Sequence, residues 1–309
     1  MDQSYKGLWV MGHWLWAIPL TAWAPGARLR SLPAQPIAHS PWPTMHHYLV
    51  RPGHKIDLEK IDADDVHLAA EGKAEAKEKS VAIQERLREL QELLFAGHER
   101  KLLVVLQGMD TSGKDGTIRH VMGGFNPQGT RVASFGKPTT VELDHDYLWR
   151  VHRQVPAKGE VVVFNRSHYE DVLVARVHNL VPKAVWRRRY DQINVFEETL
   201  AESGATILKF FLHISKDEQR ARLQARIDDP TKRWKFQHSD VEERKLWDDY
   251  QRAYEDALSK TSTERGPWYV VPANQKWYRN YVVGLIVADA LDRLHMKYPE
   301  PDLSGIVIK

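Results

Sequence analysis

"LLVVLQGMDTSGKDGTIRHV", Leu102–Val121, decides the fold. Its first half is a short, unbroken apolar run, the pattern of a strand covered on both faces, and such strands belong to parallel sheets. Its second half approximates G-x-x-x-x-G-K-[ST], a loop whose backbone N–H groups and lysine hold phosphates while a hydroxyl reaches Mg²⁺. Gly108, Gly113 and Lys114 fit that pattern; Asp115 stands where the hydroxyl is expected, and Asp110 puts a second acid inside the loop. Backbone donors at a helix N-terminus favour an anion, and Lys114 adds a point charge. Thr111, Ser112, Gly116 and Thr117 complete the phosphate- or nucleotide-binding candidates of this loop.

Outward from the loop, further strands are expected at Arg131–Phe135, Glu160–Phe164, Thr206–Ile214 and Trp268–Val271. Helical stretches separate them at Glu142–Gln154, Val172–Val177, Ala184–Glu202, Lys216–Ile227, Val241–Ser259 and Trp277–Leu294, after an amphipathic helix over Glu71–Leu94. Alternating strand and helix predicts a doubly wound α/β fold. Ligands in such sheets bind beyond the carboxyl ends of the strands, where Gly108–Gly116 and the residues after Phe164 must lie.

The 309 residues, 42% hydrophobic and 28% charged, are those of a globular protein rather than a disordered or fibrous one. There are no cysteines, which removes disulfides, thiol nucleophiles and thiolate metal sites and fits a reducing cytoplasm. A net charge of +3 neither demands nor excludes a polyanionic partner, so the placement of charge decides. Residues 1–47 read differently. They hold five of the eleven tryptophans and six of the sixteen prolines, and no acid appears between Asp2 and Asp57. Gly7–Ala24 has the look of a signal-peptide core. The alternative is a start placed too early, with the working protein opening near Met45.

A second constellation is "VVVFNRSHYEDVLVARV", where a strand ending at Phe164 delivers Asn165, Arg166, Ser167 and His168, then Glu170 and Asp171 near a helix start. His168 reads as a packing or hydrogen-bonding residue. The acids are either partners of a helix dipole or part of the site, and Asp171 is the better placed of the two to accompany the strand end. A third segment, Ser215–Asp240, carries Arg220, Arg222, Arg226, Lys232, Arg233 and Lys235 around a break at Pro230. Arg222 and Arg226 are four apart on one helix face, and Lys232–Lys235 follow in a loop, so the segment is either a solvated face or a basic lid over phosphates. "WRRRY", Trp186–Tyr190, reads as solvent-facing charge.

Together "GMDTSGKDG", "FNRSHYEDV" and "RWKF" resemble the family-2 polyphosphate kinases, from about Tyr48 to the C-terminus. The resemblance implies a P-loop kinase-like (thymidylate-kinase-like) sheet with a helical lid at about 215–240. It implies phosphoryl transfer between inorganic polyphosphate and adenine nucleotides, guanine being a second possible base. It also implies phosphate binding by Gly113, Lys114 and Gly116, metal binding by Asp110, and phosphate contacts from Arg166 and the lid's Arg222, Arg226, Arg233 and Lys235. Many relatives have Asp at the position of Asn165 and Asn-Arg at that of Glu170-Asp171, so the second metal-binding carboxylate has moved, with Asp171 the first choice and Glu170 the second. This version is similar to the subgroup that phosphorylates both AMP and ADP. The expected catalytic set is Asp110, Lys114, Arg166 and Asp171, with Mg²⁺ as cofactor and Mn²⁺ as its alternative. Asp115 is expected to orient Lys114 or a metal-bound water. A cytoplasmic homo-oligomer without nucleic-acid or membrane partners completes the expectation. Two other readings stay open: an ATP-dependent nucleoside-monophosphate kinase and a non-catalytic polyphosphate binder.

Overall fold

The structure, a computed structural model, describes residues 46–308. The expectations for the N-terminal extension therefore lie outside the described residues, except at His46 and His47. Strand β2 (Lys101–Gln107) is buried along nearly its whole length, as its unbroken apolar run requires. It lies between two parallel neighbours, β4 (Val161–Asn165) and β5 (Ala205–His213). The sheet continues outward through β3 (Thr130–Ser134), parallel to β4, and β6 (Trp268–Pro272), parallel to β5. One edge was not anticipated: β1 (Leu49–Val50) adds antiparallel to β6, giving the order β1-β6-β5-β2-β4-β3. Two residues carry too little alternation to announce a strand, and the pairing is made by β6, more than two hundred positions away.

The chain leaves β2 toward β4 on one side and later returns to β5 on the other, so the loop after β2 stands where the strand order reverses. That is where open α/β sheets bind ligands. Helix α1 (Lys73–Gly97) packs on the last helix, Lys276–Asp292, so close that a Cβ on Gly284 would meet Ile83 Cγ2 at 3.2 Å. Helix α2 (Lys114–Val121) opens directly from the loop.

Three expected helices are corrected. Glu142–Gln154 is two single turns, α3 (Thr140–Leu143) and α4 (Trp149–His152). The first is fixed by a capping box in which Thr139 and Glu142 exchange hydrogen bonds, and Asp146 accepts from the Leu148 N–H in the break. Val172–Val177 begins earlier, as a 3₁₀ turn over His168–Asp171, before α5 (Val174–Val177). Val241–Ser259 breaks at Leu246 into α8 (Ser239–Lys245) and α9 (Trp247–Thr261). The long helices α6 (Lys183–Glu202), α7 (Lys216–Asp228) and α10 (Lys276–Asp292) match the spacing within two residues. Among the described residues no helix is long and apolar enough to cross a membrane.

Candidate active site

The loop after β2 needs backbone geometry that ordinary residues avoid. Gly108 sits at φ +151° and Gly113 at +102°, and Thr111 is held at +67°. Packing closes the choice at both glycines: a Cβ on Gly108 would lie 2.8 Å from Leu212 O, and one on Gly113 would run into Arg279 Nη1. Two arginines from distant parts of the chain fasten the loop. Arg222 donates Nη1 to Thr111 O (2.9 Å) and Ser112 O (3.1 Å), and Nη2 to Ala273 O (2.6 Å) and Asn274 O (2.9 Å). Arg279 donates to Ser112 O at 3.3 Å. Burial, and then the neighbouring Arg222, pull the Arg279 guanidinium down to about 10.

Lys114 turns back under the loop and donates to Gly108 O (2.8 Å) and Met109 O (3.3 Å). Burial pushes its ammonium down to about 8, with Asp110 opposing. Thr117 is buried and returns its hydroxyl to Gly113 O, closing the first turn of α2.

From β4 the chain enters Arg166 at φ +62°, a left-handed conformation that costs an L-residue of this size. The result is a guanidinium set between two carboxylates: Arg166 Nη2 lies 3.0 Å from Asp110 Oδ1, and Nη1 lies 3.9 Å from Glu170 Oε2. All three line a cavity of about 230 Å³ with Gly108, Gln219, Asp240 and Tyr254. Burial raises Glu170 above the ordinary carboxylate range, with Arg166 and the Gln107 amide opposing.

Asp171 is not brought to this cavity. Its Oδ1 accepts from Arg189 Nη1 at 3.1 Å, and its own carbonyl accepts from the same nitrogen at 2.9 Å. Arg189 lies over the Tyr147 ring, so the middle of "WRRRY" divides: Arg187 and Arg188 are exposed as expected, whereas Arg189 is half-buried and holds Asp171. His168 is fully buried, with Nε2 at 3.2 Å from Glu197 Oε1.

The segment after α7 lies along the loop. It forms a groove of about 730 Å³ lined by Thr111, Gly113, Lys114, Asp115, Gly116, Asn165, Arg166, Arg222, Arg226 and Lys235. Arg119, Lys232, Trp234, Lys276 and Arg279 also line it. Asp115 accepts from Asn165 Nδ2 (3.0 Å) on one side and from Lys235 Nζ (3.1 Å) on the other, so this acid joins the loop to the strand end and to the lid segment. Arg233 stands apart: it donates Nε to Ile227 O, folding back on its own turn outside the groove lining. Arg119, Lys276 and Arg279 had gone unnoticed in the sequence. Lys276 and Arg279 both belong to "WYVVPANQKWYRN", Trp268–Asn280.

Among the described residues no three His, Cys, Asp or Glu side chains group to hold a metal ion by themselves. Mg²⁺ asks for less, since it is commonly held by one or two carboxylates with the remaining ligands from water and substrate phosphates. Asp110 and Glu170, facing one cavity across Arg166, fit that demand; Asp171 does not face it.

The comparisons with known proteins agree with this architecture. Residues 70–299 match the polyphosphate kinase 2 (PPK2) family. The chain is 59% identical over 261 residues to the AMP/ADP-polyphosphate phosphotransferase of Meiothermus ruber, covering 84% of this chain and 98% of that one. It is 46% identical over 267 residues to the ADP-polyphosphate phosphotransferase of Rhodopseudomonas palustris, covering 82% and 91%. The crystal structure of polyphosphate kinase 2 from Arthrobacter aurescens TC1 superposes with a TM-score of 0.79 at 48% identity, over 82% of this chain and 91% of that one. A P-loop between parallel strands, a basic groove along it and similarity across most of the chain's length leave one assignment: this protein belongs to the polyphosphate kinase 2 family, with a P-loop kinase-like fold.

Proposed function

We propose that the protein transfers a phosphoryl group between inorganic polyphosphate and AMP or ADP, with Asp110 and Glu170 holding Mg²⁺ at the point of transfer. The observation that carries the donor is the groove. Nine lysines and arginines line it (114, 119, 166, 222, 226, 232, 235, 276 and 279) against three aspartates (110, 115 and 240). Among the described residues that line it, Trp234, exposed on the lid, is the one aromatic. A groove lined by so much positive charge suits a long inorganic polyanion.

The acceptor phosphate needs no base, because the second ionisation of a phosphate monoester falls near about pH 6. Its oxygen attacks the terminal phosphorus of the chain, and the bond from that phosphorus to the bridging oxygen breaks. The shortened chain leaves with the extra negative charge. Transfer of this kind is achieved by positioning and charge neutralisation. Lys114 can exchange its loop carbonyls for phosphate oxygens, and Arg166 is already suspended beside the cavity to meet the charge that develops. Asp110 and Glu170 would hold the divalent cation, which would supply neutralisation of phosphate charge.

The test is a coupled assay with purified protein, Mg²⁺, ADP and long-chain polyphosphate, followed by the same assay on Glu170→Gln and Asp171→Asn. ATP should form while the chain shortens. Glu170→Gln should lose at least about two orders of magnitude of turnover, and Asp171→Asn much less. Turnover of ATP plus AMP without turnover of polyphosphate would move the protein to the nucleoside-monophosphate kinases. Tight polyphosphate binding with neither reaction would make it a binder. The reverse order of the two variants would return the metal to Asp171.

A further inference from the structure

Gln107 ends β2 immediately before Gly108 and is 1% exposed, in a strand otherwise made of leucine and valine after its opening Lys101. A buried amide in such a place costs free energy unless its polar atoms are used; here Oε1 finds no partner among the described residues and the nitrogen carries the contacts. Both protons of Nε2 are spent on the turn that follows β4: one on Glu170 Oε1 at 3.1 Å, the other on Ser167 Oγ at 3.2 Å. A carboxylate only accepts, so the amide nitrogen and not its oxygen must face Glu170. Ser167 Oγ also accepts the Tyr169 N–H, closing the 3₁₀ turn that presents Glu170. The parallel ladder places Leu106 beside Asn165, and Arg166 N donates to Leu106 O. Gln107 is therefore the first side chain beyond the β2–β4 ladder, though still paired with Phe211 of β5, and it can reach from the phosphate loop to the turn.

Resting on the function proposed above, we infer that Gln107 is a positioning residue for that reaction. Its amide holds Oε1 of Glu170 and leaves Oε2 facing Arg166 and the Asp110 cavity, so that the two carboxylates present a fixed pair to a divalent cation. Glu170 sits on a 3₁₀ turn, and among the described residues its side chain has no other side-chain hydrogen-bond donor, the Arg166 guanidinium lying farther off at 3.9 Å. The link also couples the two halves of the site, because Gln107 moves with the phosphate loop and Glu170 with β4.

The deciding variant is Gln107→Met, which keeps the length and loses the donor. Partners that orient a metal ligand are commonly worth 10–100-fold in affinity or activity. The expected result is a kcat about tenfold lower, KM for ADP and polyphosphate within about twofold of wild type, and an unchanged Tm. Mn²⁺ dissociation, read directly by electron paramagnetic resonance on the protein without substrates, should weaken by a similar factor. In the Glu170→Gln background the second change should add less than about twofold, since the residue acts through Glu170. Unchanged Mn²⁺ binding in Gln107→Met, an additive loss in the double variant, or a fall in Tm that accounts for the lost activity would each overturn the inference. Gln107→Leu is read the same way. Wild-type protein without polyphosphate turnover would overturn the proposed function instead, and the Mn²⁺ comparison would still decide the role of Gln107.

Discussion

Two lysines of this protein are drawn below their usual pKa by burial, and they do opposite things. Lys114 lies beneath the phosphate loop with backbone carbonyls as partners, beside an open basic groove. Lys209, in the middle of β5, is fully buried against a carboxylate: its Nζ donates to Glu197 Oε2 (2.5 Å), Tyr169 Oη (2.9 Å) and Thr261 O (2.6 Å). Glu197 also accepts from Tyr169 Oη at 2.8 Å, so the pair braces the turn carrying Glu170 through Tyr169. Burial by itself therefore does not mark a functional lysine. What matters is whether the partners can be exchanged: carbonyls beside an open groove can yield to phosphate oxygens, whereas a fully buried carboxylate paired with its lysine does not.

The largest effect that can break this contrast is on stability. Lys209→Met strands the Glu197 charge and should cost roughly 3–5 kcal/mol, read as a lower urea midpoint with unchanged slope. Adding Glu197→Gln should recover much of it. A Lys209→Met protein of normal stability would show that the pair contributes nothing to the core. Next comes Lys114→Ala, expected to lower polyphosphate turnover by at least about two orders of magnitude with the urea midpoint little moved. Loss of stability instead of turnover would make both lysines structural.

A smaller, sharper test is pH. Lys114 of the free protein loses its proton as pH rises through about 8, and bound phosphate raises its pKa by favouring the charged form. Binding above pH 8 thus takes up a proton. Polyphosphate affinity should be flat below about 8 and fall by up to about tenfold per pH unit above it, until the pKa of the complex is reached. Titration calorimetry across this range in wild type and Lys114→Ala decides the point, since the variant should lack that limb. The smallest effect belongs to Asp115, whose pairing with Lys235 is partly exposed. Asp115→Asn releases Lys235 to the donor, and KM for long chains should fall by up to about fivefold, the range of an exposed pair. An equal change for short donors would sever Lys235 from the channel.

The readable parts of the fold were those with local causes. The β2 run, the Gly108–Lys114 loop and the long amphipathic helices are dictated by residues within a few positions of one another. What escaped was set by distant partners: β1 by β6, and the loop's arginine clamp by a residue of α10. Glu170 and Asp171 show the limit most closely. Neighbours in a 3₁₀ turn point about 120° apart, so one acid faces the cavity and the other does not, and nothing in "HYEDV" says which. The choice is made by Gln107 on one side and Arg189 on the other. Arg189 sits in a run that otherwise reads as solvated charge.

The close approach of Arg279 to Gly113 has a consequence for how the protein is made. The phosphate loop is synthesised early, yet its floor includes a side chain from the last helix of the described residues. During translation a chain that has already formed β2 and α2 still lacks that support. The floor of the phosphate loop is thus complete only once α10 has been made and has docked.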